Sequence, residues 1–153
     1  MRVNELDHCV FPAMKNLKEL FLGPGKLDDL EPLAGLTKLE SLRVSMNQVE
    51  DITPLSKMTK LDRIDLAHTQ VRDLRPLGEL TALTELLLDS TPVEDVTPLA
   101  KLTKLKVLVL KDTRVGDVSP LAGLKALKTL DLRGAPVQDT TPVDRLTGRG
   151  LQL

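Results

Sequence analysis

The sequence predicts an α/β solenoid, a right-handed superhelix of stacked β-α units. A parallel sheet lines its concave face and short helical or 3₁₀ segments line its convex face. Three observations carry that expectation. Leucine accounts for 33 of the 153 residues. The leucines fall into a 22-residue register, with units beginning at Leu17, Leu39, Leu61, Leu83, Leu105 and Leu127 and no insertion or deletion between them. Proline recurs in the same register, at Pro32, Pro54, Pro76, Pro98, Pro120 and Pro142. A fixed period of this length signifies units that bury their apolar faces only by stacking on neighbours.

Each element of the unit has its own signal. The fifth unit reads LKVLVLKDTRVGDVSPLAGLKA. Positions 1, 4, 6, 11, 14, 17 and 20 are the apolar ones, which makes 42 sites over six units; 41 carry Leu, Ile, Val or Met, and Thr140 is the exception. The opening LxxLxL alternates as a short strand with one buried face does. In the fifth unit Val107, Val109 and Lys111 are then the outward residues. The second signal, D-x-x-P-L-x-x-L, predicts one or two helical turns. Thr53, Thr97, Ser119 and Thr141 each precede a proline, and a hydroxyl N-cap followed by proline at the first helical position starts a helix.

Composition narrows the function. With 21 Lys and Arg against 22 Asp and Glu, the formal net charge is −1. That balance argues against nucleic acid or an anionic membrane as the main partner. The single cysteine, Cys9, excludes an intrachain disulfide. Two histidines, His8 and His68, leave little for a metal site. Phe11 and Phe21 are the only aromatic residues. Carbohydrate and single-stranded nucleic acid are gripped by stacking, so both ligand classes are demoted. No run approaches the length of apolar residues that spans a membrane.

The unit LxxLxLxxTxVxDVxPLxxLTK resembles the 22-residue leucine-rich repeats of bacterial internalin-like proteins, over residues 17–148. That resemblance implies a leucine-rich-repeat solenoid and a generic protein-binding scaffold. One column departs from the family pattern. Position 9 usually holds Asn, which hydrogen-bonds neighbouring turns; here it holds Gly25, Asn47, Thr69, Thr91, Thr113 and Ala135. Threonine hydroxyls are expected to replace the Asn ladder in part. Secreted internalins carry a signal peptide, whereas this chain opens MRVNELDH with no apolar h-region. The expected location is cytoplasmic if Met1 is the native start.

The ends lie outside the register. Residues 1–16 read as an N-terminal cap or a degenerate repeat, in which Leu6, Val10, Phe11 and Met14 cover the first unit. Residues 149–153 read as the strand of a partial seventh repeat, Leu151-Gln152-Leu153, with one residue deleted at Gly148-Arg149-Gly150. An uncovered last strand invites pairing. A monomer is expected, with an edge-strand dimer as the alternative.

No constellation supports an enzyme, and no cofactor is implied. Asp7, His8 and Cys9 are consecutive and do not converge easily as orienter, base and nucleophile. Asp29, Asp51, Asp73, Asp95, Asp117 and Asp139 form a perfect column at position 13. Read functionally, that is an acidic strip for calcium. Read structurally, each carboxylate accepts backbone N–H groups of the turn before the proline. The structural reading is preferred, since calcium needs oxygens converging from several directions. Arg72, Arg75 and Arg114 would offset repulsion along the column.

The repeat does not dictate its outward strand positions. Parallel stacking places Arg43 beside Asp65 and Arg63 beside Glu85. Leu87, Val107 and Val109 form an apolar patch on adjacent strands, rimmed by Asp89, Lys111, Asp112 and Arg133, as protein-binding sites are. The expected function is therefore non-enzymatic binding of a protein or peptide on the concave sheet. Leu87, Val107 and Val109 are its centre, with Phe21, Arg43, Arg63, Asp65, His68 and Lys111 as secondary contacts. The alternatives are a regulatory or sensor fragment of a larger protein, and a self-assembling or engineered repeat protein.

Overall fold

The computed structural model describes residues 13–146 and the backbone of 151–152. The cap residues Leu6, Val10 and Phe11, the Asp7-His8-Cys9 run and Gly148-Arg149-Gly150 lie outside the described residues. Met14, assigned to the same cap, is exposed.

Among the described residues seven strands form one open parallel sheet in sequential order. They are β1 (Glu19–Phe21), β2 (Ser41–Arg43), β3 (Arg63–Asp65), β4 (Glu85–Leu87), β5 (Val107–Val109), β6 (Thr129–Asp131) and β7 (Leu151–Gln152). From β1 to β6 each residue pairs with the one 22 positions on, as Leu42 does with Ile64 and Leu86 with Leu108. β7 pairs Leu151 with Leu130, an offset of 21. Beyond each strand the ladder continues through single bonds such as Val44 N–H to Asp65 O at 3.0 Å and Leu66 N–H to Leu87 O at 2.9 Å.

The convex side is built from 3₁₀ turns at Glu31–Leu33, Thr53–Lys57, Arg75–Leu77, Thr97–Lys101 and Ser119–Gly123. Proline occupies the first or second position of each. There its missing N–H costs nothing and its fixed φ starts the turn. The caps differ from the expectation. Thr53, Thr97 and Ser119 are the first residues of their turns, the capping positions are Ile52, Val96 and Val118, and none has a side-chain cap bond. The orphan N–H groups go to the aspartate column instead. Asp51 Oδ1 accepts from Thr53 N–H at 2.8 Å, Asp95 from Thr97 at 2.8 Å and Asp117 from Ser119 at 2.8 Å. Asp29, Asp73 and Asp139 do the same for Glu31, Arg75 and Thr141. The aspartate is better placed because it lies two residues before the N–H it receives, the spacing of an Asx turn.

Between sheet and turns runs one continuous core of leucine, isoleucine and valine. The middle residue of each strand from β2 to β5 points into it, while its two neighbours point to the concave surface. The core loosens in the sixth unit. Thr140 is only half-buried where Leu30, Ile52, Leu74, Val96 and Val118 are enclosed, and Val137 and Leu146 are partly buried against the core. A hydroxyl in that column cannot be enclosed without a partner.

Position 8 of the unit carries a feature the residue types conceal. Met46, His68, Ser90, Asp112 and Gly134 all have left-handed backbones, with φ of 58, 55, 55, 54 and 75°. The chain leaves each strand through this turn, and its N–H bonds the next repeat, as Met46 does to Ala67 O at 2.9 Å. Position 8 of the first unit is Pro24, whose ring forbids positive φ. There Gly25 N–H makes the corresponding bond, to Met46 O at 3.1 Å.

Candidate functional site

The concave face consists of the outward side chains of β1 to β6 and the rim that follows them. Its geometry is set by the 22-residue register, which places like positions side by side on hydrogen-bonded strands. Glu85, Val107 and Thr129 form part of one column; Phe21, Arg43, Asp65, Leu87, Val109 and Asp131 form the next.

Leu87, Val107 and Val109 face the concave side as adjacent neighbours, but each is half-buried rather than exposed. Neighbouring parallel strands lie about 4.8 Å apart, so each side chain covers the flank of the next. The open patch expected from the sequence is thus a low apolar floor. The large exposed apolar groups lie nearer the N-terminal end: Phe21 is 58% exposed and Met46 is 55% exposed.

Phe21 has an arginine beside its ring. The Arg43 guanidinium carbon stands 5.4 Å from its ring centroid, a cation–π distance. Arg43 Nε lies 3.0 Å from Asp65 Oδ2, as the stacking argument required. Asp65 is itself fixed, accepting Ser45 Oγ at 3.2 Å and Ala67 N–H at 3.1 Å. Arg63 departs from expectation. It neighbours Glu85 in register, yet its Nε lies 3.4 Å from Asp62 Oδ1, the carboxylate preceding it in sequence. Tight residue-to-residue register does not decide where a long exposed side chain rests.

At the rim, exposed His68 places Nε2 3.5 Å from Asp89 Oδ2, and Lys111 Nζ stands 3.7 Å from Asp112 Oδ2. Asp131 is a buried carboxylate at the sheet surface, gripped by Arg133 Nε at 2.9 Å and by Arg133 N–H at 3.1 Å. The Arg133 side-chain bond holds the Asp131 carboxyl below the usual carboxylate range, against the opposing effect of burial.

Away from this face, the aspartate column has a structural use. The side chains of Thr53, Thr97, Ser119 and Thr141 reach back to Asp51, Asp95, Asp117 and Asp139, and their backbone N–H groups add to it; both lower the carboxyl pKa. Arg75 does so for Asp73 with Nε at 2.9 Å and a terminal nitrogen at 2.7 Å from Oδ2. Arg114 turns instead toward Glu94, at 3.6 Å. Among the described residues no group of three or more His, Cys, Asp or Glu is placed to hold a metal ion. Among them no helix is long and apolar enough to cross a membrane.

The position-9 column works differently from the expected ladder. Thr69, Thr91 and Thr113 donate to Leu66 O, Leu88 O and Leu110 O of their own turns at 2.7, 2.6 and 2.6 Å. Asn47 alone among these bonds across a repeat boundary, through Leu27 N–H and Gly23 O.

A family model for leucine-rich repeats, described as two copies, matches residues 15–57. Among solved structures, internalin C2 of Listeria monocytogenes shares 38% identity over 78% of this chain and 53% of its own, with a TM-score of 0.77. A second Listeria monocytogenes internalin shares 27% identity over 92% of this chain and 48% of its own, with a TM-score of 0.71. A leucine-rich-repeat protein of Leptospira interrogans shares the fold at 21% identity, over 93% of this chain and 38% of its own, with a TM-score of 0.84. No curated protein matches the chain. The stacked 22-residue units and parallel sheet define a leucine-rich-repeat protein. In sequence and fold its repeats are similar to those of the two internalins. The chain spans about half the length of the two internalins it matches.

Proposed function

We propose that this chain is a non-enzymatic protein-binding scaffold that holds a protein or peptide segment on its concave sheet. The leucine-rich-repeat fold commonly mediates protein–protein interaction, which supports the class of function. The observation that carries the placement is Phe21, 58% exposed on a strand where the repeat has no need of an aromatic ring. The half-buried floor of Leu87, Val107 and Val109 extends the same surface over β4 and β5. Rigidity is the mechanism. Strands β2 to β6, each paired with a neighbour on both sides, present side chains with little ordering cost on association.

The test is capture from extract of the source organism. Wild type is compared with a Leu87→Asp, Val109→Asp double variant whose circular dichroism is unchanged. Loss of a captured protein in the folded variant is the expected result. Equal capture by both moves the contact to the convex side or an end.

A further inference from the structure

We infer that the N-terminal half of the concave face is a receptor for an acidic residue of a partner protein, an Asp or Glu flanked by apolar side chains in an extended segment. The inference rests on the protein-binding reading and adds the chemistry of what is bound. A shallow depression crosses β1 to β4, and Phe21, Ser41, Arg43, Arg63, Asp65 and Leu87 line it. Its charges are layered. The Arg43 and Arg63 side chains stand 58% and 59% exposed, whereas that of Asp65 is 16% exposed. The cations are outermost; the Asp65 carboxylate is less exposed and pairs with Arg43, while Arg63 rests against Asp62.

Arg43 is the better built of the two. Asp65 takes its Nε at 3.0 Å, and its guanidinium lies beside the Phe21 ring. Asp65 is immobilised in turn by Ser45 Oγ and Ala67 N–H. Fixing Nε orients the plane of the guanidinium, and its terminal nitrogens form the fork that matches a planar carboxylate. Arg63, one strand further along the sheet, opens onto the same depression. Phe21 and Leu87 lie at its two sides and supply apolar contact for the residues that flank the acid.

Asp65 and Glu85 also line the depression, so two carboxylates stand against its two guanidinium groups. A phosphoryl group carries close to two negative charges and meets about twice both the attraction and the repulsion that a single carboxylate meets, which makes phosphate the necessary competitor in the test.

The experiment is a titration of the isotope-labelled whole chain, followed by amide chemical shifts. The probes are a blocked pentapeptide Ac-Ala-Leu-Glu-Leu-Ala-amide, its Gln counterpart and inorganic phosphate. The expected result is saturable shifts at Phe21, Arg43 and Arg63 with the Glu peptide. Binding is expected to weaken about tenfold or more with the Gln peptide, the scale of losing a charge-assisted hydrogen bond. Arg43→Gln and Arg63→Gln are expected each to weaken the Glu peptide, with the remaining spectrum unchanged. Arg63→Gln guards against loss of the Asp65 support. Equal response to Glu and Gln peptides, absence of saturable shifts, or tighter binding of phosphate overturns the inference. If a captured protein partner is lost in the Leu87→Asp, Val109→Asp variant but held fully by both arginine variants, the acidic-residue inference fails while the concave-face reading stands.

Discussion

Asn47 reaches across the boundary between the first two repeats to Leu27, accepting its backbone N–H on Oδ1 at 3.1 Å. Its Nδ2 meets Gly23 O, Val44 O and Ser45 O at 3.1, 3.2 and 3.1 Å. One buried amide therefore satisfies groups from two units. Asn47→Ala removes all four bonds, of which those to Leu27 N–H and Val44 O are buried, at about 1–3 kcal/mol for each buried group left unmet. The expected loss is about 3 kcal/mol in urea unfolding. Thr91→Val removes only a bond to Leu88 O within its own turn, and about 1 kcal/mol is expected. Equal losses for the two substitutions would refute the distinction between a bond across repeats and one within a turn.

The left-handed column predicts substitutions of opposite sign at equivalent positions. Met46 holds φ at 58° while 55% exposed, so its side chain contributes little burial to offset the backbone cost. Asn tolerates this region far better than Met. Met46→Asn is expected to raise stability by about 1 kcal/mol. Gly134 holds φ at 75°, and a Cβ there would stand 2.1 Å from Asp112 Oδ1. Gly134→Ala is expected to lower stability by a similar amount. Thermal melts of the two variants check both signs, and a shift in the same direction for both would contradict the strain argument.

The aspartate column makes the fold acid-sensitive. Hydrogen bonds from the following side chains, chiefly, and from backbone N–H groups lower the carboxyl pKa of Asp51, Asp73, Asp95, Asp117 and Asp139. A carboxyl whose folded pKa lies below its unfolded value of about 3.9 stabilises the fold above that pH. That stabilisation is lost as pH falls through the folded value. Melting temperature is therefore expected to drop on acidification below about pH 4. Asp95→Asn retains an acceptor for Thr97 N–H but no titrating group. It is expected to flatten the acid limb while Asp95→Ala lowers stability at neutral pH. An acid limb unchanged in Asp95→Asn would show that the column does not set it.

The sequence made the fold legible because the solenoid needs the same apolar residue at the same place in every unit. Leu42, Ile64, Leu86 and Leu108 are inward for that reason, and no alternative register leaves them buried. Thr140 marked the loosened unit for the same reason. The turn chemistry was half legible. Asp51 and Thr53 were both visible, but which one receives the N–H depends on a spacing of two residues against none. The left-handed column was hidden because Met46, His68 and Ser90 are residue types that do not announce positive φ; only Gly134 does. At the candidate site, register identified the Arg43–Asp65 pair, whose carboxylate is held in place on the adjacent strand by Ser45 Oγ and Ala67 N–H. It misplaced Arg63, whose exposed side chain found Asp62 by local sequence instead. The half-burial of Leu87, Val107 and Val109 followed from strand spacing, which alternation within a single strand does not reveal.

The proposed function sets a partner protein on the concave sheet. Hydroxyl-radical footprinting of the complex with a captured partner tests it most directly, because aromatic and sulfur-containing side chains report their own exposure. Phe21 on the sheet and Met46 on the rim are open in the free chain. Phe21 is expected to become protected in the complex, together with Leu87, while Pro98 and its convex neighbours keep their free-state reactivity. Phe21 and Leu87 unchanged, with protection on the convex 3₁₀ turns, would contradict it.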